Sequence, residues 1–175
     1  MKFAVLVLAG AMAVVPVKIQ AQKVSEYHPS VKCLALNMYH EARGQGTAGL
    51  LGVTAVVFNR VKDKRFPNTI CEVIEQGPTR ESWKKNGEFY PIRHRCQFSW
   101  FCDGRSDIPK EIEVYSKFLR IARAMIDKNI PFIDITDGAL FYHADYVTPG
   151  WAKTKRRTTR IGNHIFYRWE IGKKF

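Results

Sequence analysis

The sequence predicts an α+β fold, mostly helical, in which a small antiparallel sheet follows the helices. Apolar residues recur at helical spacing through residues 31–62. Near the carboxyl end, strand-forming residues flank a Gly162-Asn163 pair, which predicts a hairpin. The 175 residues suit one domain with a hydrophobic core, and no repeat or low-complexity segment interrupts them.

The first 21 residues have the pattern of a secretory signal. Lys2 provides a basic start, residues 3–17 are almost wholly apolar, and Ala21 supplies the small residue of a cleavage site. The apolar run is shorter than the ~20 residues that span a bilayer. We therefore expect a signal peptide over residues 1–21, a single domain over 22–175, and export to the periplasm or beyond. An uncleaved signal-anchor is the alternative.

Four cysteines lie in the expected mature chain: Cys33, Cys71, Cys96 and Cys102. An even number in an exported protein predicts two disulfides, for which three connectivities are open. One or more buried thiols is the alternative. No C-x-x-C pair and no closely spaced histidine pair is present. We therefore expect no metal, and nothing in the sequence indicates a cofactor.

The chain is strongly basic, with a formal net charge of +12. Loss of residues 1–21 would remove Lys2 and Lys18 and leave +10. Such a surface attracts polyanions in general. Export favours the anionic bacterial envelope over nucleic acid, so we expect no nucleic-acid partner and a monomeric protein. The basic run at 153–157 fits either a binding role or a solvated loop.

The helical segments can be placed from apolar spacing and capping residues. The first covers residues 31–43 and ends where Gly44 and Gly46 break it. Thr47 is expected to cap a second, nearly all-apolar helix that reaches Lys62. The first helix has one apolar face, formed by Val31, Leu34, Ala35, Met38 and Ala42.

Two further helices follow. Thr69 and Glu72 form a predicted capping box for a short helix that stops near Gly77. A longer helix is predicted to start at Asp107 with Pro109 and to end near Asn129. Its apolar stripe comprises Ile112, Tyr115, Leu119 and Ala122.

The other segments are less regular. We interpret residues 77–95 as a long charged loop and residues 97–101 as extended. Residues 139–147 are expected to form a strand or a short helix. The hairpin pairs residues 158–161 with residues 164–167.

Glu41 occupies an unusual place at the end of the first helix. At about 100° per residue it falls near Leu34 on the apolar stripe. A carboxylate held against apolar side chains loses hydration, so its pKa is expected to rise. A carboxylic acid that stays protonated near neutral pH can donate a proton in catalysis. The alternative is an ordinary helix-end charge that pairs with Arg43 or Arg60.

Two clusters mix polar and aromatic side chains in the manner of carbohydrate-binding clefts. The first runs from Cys96 to Trp100, with Gln97 and Ser99 as its polar members. The second runs from Phe141 to Tyr146, includes Tyr142 and His143, and is followed by Trp151. Amide and hydroxyl groups bind sugar hydroxyls, and aromatic faces pack against a pyranose ring. Core packing explains either cluster alone, but with an isolated acid the two clusters favour a sugar cleft.

The chain resembles the SleB-type cell wall hydrolases, which include spore-cortex-lytic enzymes. The resemblance covers about residues 31–168, in the family's order. Its segments are Tyr39-His40-Glu41-Ala42-Arg43-Gly44, Val57-Phe58-Asn59-Arg60-Val61, Arg65-Phe66-Pro67-Asn68-Thr69-Ile70-Cys71, Cys96-Gln97-Phe98-Ser99-Trp100, Cys102-Asp103-Gly104, Phe141-Tyr142-His143-Ala144 and Ile161-Gly162-Asn163-His164-Ile165-Phe166-Tyr167.

This resemblance implies a lysozyme-like fold related to lytic transglycosylases, with peptidoglycan glycan strands as substrate. The family's catalytic glutamate corresponds to Glu41. The family usually has a second acid where this chain has Gln45, so help from that position is not expected. We expect substrate contacts from Gln97, Ser99, Tyr142, His143 and Asn163.

Ordinary glycosidases use two carboxylates. A second one here would have to come from Asp103, Asp107, Asp137 or Asp145, brought across the cleft by the fold. A lytic transglycosylase can work with Glu41 alone, whereas attack by water would make the protein a muramidase. The resemblance favours the transglycosylase.

Two other classes remain open from the sequence. A metal-dependent hydrolase or amidase could use His40, His143 and His164, although their spacing is poor for zinc. A non-enzymatic, cationic envelope-binding module would explain the positive charge but not the position of Glu41 on an apolar helix face.

Overall fold

The computed structural model describes residues 27–127 and 131–169, so the signal sequence predicted over residues 1–21 lies outside it. The predicted α+β class is confirmed. The described residues form four α-helices and two small antiparallel sheets, of which the first lies between α3 and α4 in the sequence. The helices are α1 Pro29–Ala42, α2 Gly46–Lys62, α3 Ile70–Ile74 and α4 Ile112–Ile126.

Helix α1 is the centre of the helical core, because it packs against α2, α3 and α4. Pro29 starts the helix at a position where its missing N–H costs nothing, and His28 Nδ1 accepts from Ser30 N at 3.2 Å. The predicted apolar face is buried as expected. Burial of that face against three helices fixes where the last turn, with Glu41, points.

Helix α2 is buried along most of its length, as predicted. The predicted cap at Thr47 is wrong. The helix begins at Gly46, two residues earlier than a cap at Thr47 implies, and Gln45 occupies the N-cap without a side-chain hydrogen bond. Gly46 has φ +68°, a conformation that glycine adopts without strain, and this lets the chain turn directly from α1 into α2.

Helix α3 confirms its predicted cap, since Thr69 Oγ1 accepts from Glu72 N at 3.3 Å. The helix ends at Ile74, three residues before Gly77. A Cys33–Cys71 disulfide joins α3 to α1. With the Cys96–Cys102 disulfide it confirms the prediction of two bridges.

The loop prediction for residues 77–95 is wrong, because this segment contains a hairpin. Strand β1 Thr79–Glu81 pairs antiparallel with β2 Phe89–Pro91, in register Glu81 to Phe89. Gly87 has φ +81° at the hairpin turn. Neither strand has a buried face, so the alternation of apolar and polar residues typical of a strand is missing.

Residues 97–101 were expected to be extended, and this is also wrong. Ser99–Cys102 form a 3₁₀ helix. The reason is the Cys96–Cys102 disulfide, which holds the two Cα atoms 6.0 Å apart across six residues. A fully extended chain of that length would span roughly 20 Å, so the backbone has to coil.

Helix α4 begins at Ile112, later than the predicted start at Asp107, and ends at Ile126. The predicted end at Asn129 lies outside the described residues. Glu111 occupies the N-cap without a side-chain bond. The Tyr39 hydroxyl instead accepts from Lys110 N and Glu111 N and donates to the Glu111 carboxylate, which fixes the helix start against α1. Most of the predicted stripe is buried, but Ile112 is exposed.

The second sheet confirms the predicted carboxyl-terminal hairpin. Its strands are β3 Phe141–Ala144, β4 Arg156–Ile161 and β5 His164–Arg168, in spatial order β3-β5-β4. Gly162 turns the chain with φ +56°. Phe166 packs on Val56 of α2, and its ring leaves no room for a side chain at Gly52. The basic run at 153–157 is divided between a 3₁₀ helix, Gly150–Thr154, and β4.

None of the helices within residues 27–127 and 131–169 has the length and apolar character needed to cross a membrane.

Candidate active site

A cleft of about 460 Å³ lies where the last turn of α1, the Ser99–Cys102 turn and strand β3 meet. Its walls combine one carboxyl group, one guanidinium, and several aromatic and polar side chains. The lining residues are Glu41, Arg60, Cys96, Gln97, Ser99, Phe141, Tyr142, His143, Ala144, Tyr146, Val147, Trp151 and His164. The cleft therefore brings together several segments that are far apart in the sequence.

Glu41 is partly buried in the wall of this cleft. Burial raises the pKa of its carboxyl group above the usual 4.5, because the charged form loses hydration. A hydrogen bond from Tyr142 acts in the opposite direction but is the smaller effect. Among the described residues Glu41 has no ion-pair partner, and the Arg43 guanidinium instead pairs with Glu111 at 3.0 Å. The geometry thus suits a proton donor better than a helix-end charge.

Tyr142 holds the Glu41 carboxyl group in place. Its hydroxyl donates to Glu41 Oε2 at 2.9 Å, from strand β3. The ring packs against His164 at 4.9 Å and Phe166 at 5.6 Å between centroids. Burial, followed by the nearby Glu41 charge, raises the pKa of Tyr142 well above 10. The phenol therefore stays protonated and serves as a fixed donor to the carboxyl oxygen.

Arg60 lies at the base of the cleft and is only 3% exposed. Its Nε donates to the Leu140 carbonyl at 2.7 Å, and its Cζ lies 5.1 Å from the Phe66 ring centroid and 5.4 Å from that of Phe98. Burial lowers the pKa of Arg60 to about 10, so it remains charged at neutral pH. Nη1 is buried without a hydrogen-bond partner in the described structure.

Four of the five predicted substrate-contact residues line the cleft: Gln97, Ser99, Tyr142 and His143. Gln97 and Ser99 are exposed at its rim, whereas His143 is buried and bonded to the Tyr167 hydroxyl at 3.0 Å. Asn163 does not line the cleft. Its N–H donates to Gln45 Oε1 at 3.4 Å in the turn of the β4–β5 hairpin.

Four lining residues were not among the predicted substrate contacts: Arg60, Tyr146, Trp151 and His164. Arg60 offered one signal, because a lone arginine in a nearly all-apolar helix is expensive to bury without a purpose. Tyr146 and Trp151 belong to the second polar and aromatic cluster of the sequence or follow it directly, and both line the cleft. Burial lowers the pKa of His164, whose ring lies beside Tyr142.

None of the four aspartates that could have supplied a second carboxylate lines the cleft. Asp145 pairs with Arg160 at 2.6 Å, and Asp137 pairs with Arg168 at 2.8 Å. Asp103 accepts from Arg105 N at 2.7 Å. Asp107 contacts α1 through its backbone carbonyl oxygen, which lies 3.2 Å from His40 Nε2. Within the described lining, Glu41 is the one carboxyl group.

The three histidines considered as metal ligands are each engaged in ring contacts. His40 stacks on Trp100 at 4.6 Å, His143 stacks on Tyr167 at 5.2 Å, and His164 lies edge-on to Tyr142. Over residues 27–127 and 131–169, no group of three or more His, Cys, Asp or Glu side chains is close enough to hold a metal ion.

A second cavity lies between the end of α1, the start of α2 and α4. Its lining is mainly apolar, with Leu50, Leu51 and Phe118 among the residues, and its charged members are Arg43 and Lys117. It contains no acid. It therefore differs from the cleft, which contains the Glu41 carboxyl group.

Fold and site together define a class of α+β proteins in which one buried acid faces a cleft lined with polar and aromatic groups. The family model described as Cell Wall Hydrolase matches residues 44–167, which is most of the chain. The chain belongs to this cell wall hydrolase family. The matched segment begins three residues after Glu41, so the acid lies just outside it.

Curated relatives include spore cortex-lytic enzymes. That of Bacillus subtilis (strain 168) is 28% identical over 137 residues, which cover 78% of this chain and 36% of the relative. That of Bacillus cereus (strain ATCC 14579) is 29% identical, with 78% and 43% covered. The chain thus matches well under half the length of these relatives.

Two solved structures share the fold. The catalytic domain of the germination-specific lytic transglycosylase SleB from Bacillus anthracis aligns with a TM-score of 0.53 and 28% identity, over 82% of this chain and 98% of that one. The catalytic domain of the Bacillus cereus SleB protein aligns with a TM-score of 0.50 and 27% identity, over 79% and 89%. They confirm the predicted lysozyme-like fold class.

Proposed function

We propose that the protein cleaves the glycan backbone of peptidoglycan between N-acetylmuramic acid and N-acetylglucosamine, as a lytic transglycosylase. One observation carries this proposal: Glu41 is the single carboxyl group in the described lining of the cleft, and its pKa is raised by burial. The family and the named activity of the Bacillus anthracis structural relative support it.

A single acid is sufficient for this reaction. The Glu41 carboxyl group donates its proton to the glycosidic oxygen as the bond from that oxygen to the anomeric carbon breaks. The resulting carboxylate then accepts the proton of the muramic acid 6-hydroxyl. The oxygen of that hydroxyl bonds to the anomeric carbon and closes a 1,6-anhydro ring. Glu41 ends the cycle protonated. The reaction therefore consumes no water and requires no second carboxylate.

The other cleft groups have supporting roles in this proposal. Tyr142 holds the Glu41 carboxyl oxygen in one orientation through the reaction. Gln97 and Ser99 offer amide and hydroxyl groups at the rim for sugar hydroxyls, and Trp151 offers an aromatic face. His143, bonded to Tyr167, shapes the floor.

We further propose that the protein acts in the cell envelope after export, and that its positive charge concentrates it on the anionic wall. The net charge of +12 and the apolar segment at residues 3–17 support this location.

Mass spectrometry of soluble products from purified peptidoglycan tests the reaction. A lytic transglycosylase leaves 1,6-anhydro-muramic ends, and a hydrolytic muramidase leaves reducing ends that are heavier by one water. Anhydro ends are expected. Reducing ends alone would replace the proposal with a muramidase, and release of free stem peptides from intact glycan would indicate an amidase.

A further inference from the structure

The β1–β2 hairpin, residues 79–91, is a two-stranded ribbon that stands off the domain. Every residue of β1 is exposed, as are Phe89 and Tyr90 of β2. Two-stranded ribbons without a packed face are only marginally stable on their own. A fold that keeps such a ribbon ordered has to fix it at its base.

The base of the ribbon is tied to the rim of the cleft. Ile92 N donates to Pro78 O at 2.9 Å, and Gln97 N donates to Gln76 O at 2.8 Å. The Cys96–Cys102 disulfide closes the segment directly after the ribbon, and His94 N donates to Cys102 O at 3.0 Å. Cys96 and Gln97 line the cleft, so the base of the ribbon lies beside the rim of the cleft.

The ribbon carries large aromatic side chains at its far end. Trp83 is 88% exposed and Phe89 is 62% exposed, and Tyr90 lies next to Phe89 with its hydroxyl bonded to Glu88 at 2.5 Å. Side chains of this size are normally buried or used at an interface. Cations accompany them, with Lys84 Nζ 4.8 Å from the Trp83 ring centroid.

The charges on the ribbon favour a glycan strand over an anionic lipid surface as its partner. Residues 79–95 contain five arginines and lysines and two glutamates, so the ribbon and its base attract anionic material. The two carboxylates lie at the aromatic end, where Glu81 pairs with Phe89 and accepts from Gly87 N at 2.8 Å. Inserting this end into an anionic lipid surface would bring both carboxylates against like charge. A glycan strand with spaced carboxylates avoids that repulsion.

We propose that the ribbon is a second glycan-binding surface, which holds the peptidoglycan strand as it leaves the cleft. Trp83 and Phe89 pack on pyranose faces, and Arg80 and Lys84 contact carboxylates of the stem peptides. Lys85 pairs with Glu88 at 3.2 Å within the ribbon. This inference rests on the proposed function, because it takes the cleft substrate to be a peptidoglycan strand.

The test compares Trp83→Ala/Phe89→Ala with a matched control, Ile108→Ala/Ile133→Ala. The control removes two side chains that are 75% and 68% exposed and lie outside the ribbon and the cleft. Binding to purified sacculi is measured by co-sedimentation on ice, and turnover is measured on short soluble glycan fragments that occupy the cleft alone. Vesicles of phosphatidylglycerol serve as the lipid probe.

The ribbon variant should bind sacculi roughly tenfold more weakly, since a few aromatic anchors carry most of the affinity of an interface. Its turnover of short fragments should equal that of the wild type, and the control should keep its binding. Unchanged binding of sacculi by the ribbon variant would overturn the proposal. If the ribbon variant lost binding only to vesicles, the ribbon would be a lipid-binding surface and the proposal would be overturned. An equal loss of sacculus binding in the control variant would also overturn it.

These outcomes separate the ribbon from the proposed reaction. Ribbon-dependent binding of sacculi without release of any muropeptide would contradict the reaction and leave the ribbon assignment standing. Release of muropeptides with ribbon-independent binding would contradict the ribbon assignment alone.

Discussion

The Tyr142 hydroxyl donates to Glu41 Oε2 at 2.9 Å, which joins strand β3 to the last turn of α1 across 101 residues of sequence. Burial raises the pKa of Glu41, and this hydrogen bond limits the rise because it favours the carboxylate. The pair therefore allows one group to act first as an acid and then as a base.

Tyr142→Phe removes this hydrogen bond and keeps the ring. The pKa of Glu41 should rise further, so the decline in kcat/KM as Glu41 ionises should move to higher pH. Turnover should fall roughly 10–100-fold, as expected for loss of a hydrogen bond to a charged group. The pH profile of muropeptide release measures both effects. Tyr146→Phe, at an exposed tyrosine of the same cleft, is the control and should leave the profile unchanged.

The two disulfides should differ in what they contribute. Cys33–Cys71 closes 38 residues and should stabilise the fold by about 4 kcal/mol, against about 2 kcal/mol for the six residues of Cys96–Cys102. Cys96 lines the cleft, so its removal should reduce turnover more. Denaturant unfolding and activity of the two double-serine variants test this. The prediction fails if Cys96→Ser/Cys102→Ser is the less stable variant or retains full turnover.

Gln45→Glu introduces the second acid that the resemblance to the SleB-type hydrolases implies for this position. Gln45 does not line the cleft, and it occupies the N-cap of α2. A negative charge there should interact favourably with the helix dipole, by roughly 0.3–1 kcal/mol. We expect a slightly higher melting temperature and unchanged products. A large change in turnover would show that position 45 takes part in the reaction.

Much of the fold could be predicted from the sequence, because its signals are local. The apolar stripe of α1, the Thr69 cap and the Gly162 turn each follow from neighbouring residues, and all are confirmed. The raised pKa of Glu41 could be predicted because its place on that stripe is a local fact. Its pairing with Tyr142 could not, since it depends on how β3 crosses the end of α1.

The wrong predictions share a physical cause. The extended form expected for residues 97–101 ignored a disulfide whose partner could not be assigned from spacing. The hairpin at residues 79–91 has no buried face, so its sequence lacks the alternation that marks a strand. Tertiary constraints decided both segments.

Binding to the wall should weaken as salt rises. Arg156 and Arg157 are exposed on β4, and attraction between exposed charges is screened over about 10 Å at 0.1 M. Co-sedimentation with sacculi between about 0.05 M and about 0.5 M salt measures this. Arg156→Gln/Arg157→Gln should flatten the dependence. Binding that is independent of salt would mean that sugar contacts alone hold the protein.

Replacing Glu41 should also change how stability depends on pH. The folded-state pKa of Glu41 lies above its usual 4.5, so its contribution to stability is greatest below 4.5 and is lost as pH rises through the folded-state value. Glu41→Gln carries no ionisable group there. The melting temperature of Glu41→Gln, measured relative to that of the wild type, should therefore increase as pH rises above 4.5. Thermal scans that show no such trend would contradict a pKa raised by burial.

Release of soluble muropeptides from purified peptidoglycan by Glu41→Gln tests the central claim most directly. Glutamine keeps the size of the side chain and can accept from Tyr142, but it has no transferable proton. General acid catalysis alone contributes roughly 10²–10⁴-fold, and here the same group also acts as the base. Protein that circular dichroism shows to be folded should release muropeptides more slowly than wild type by a factor of about 100 or more. Release within a few-fold of wild type would contradict the account and leave Glu41 as a helix-end charge.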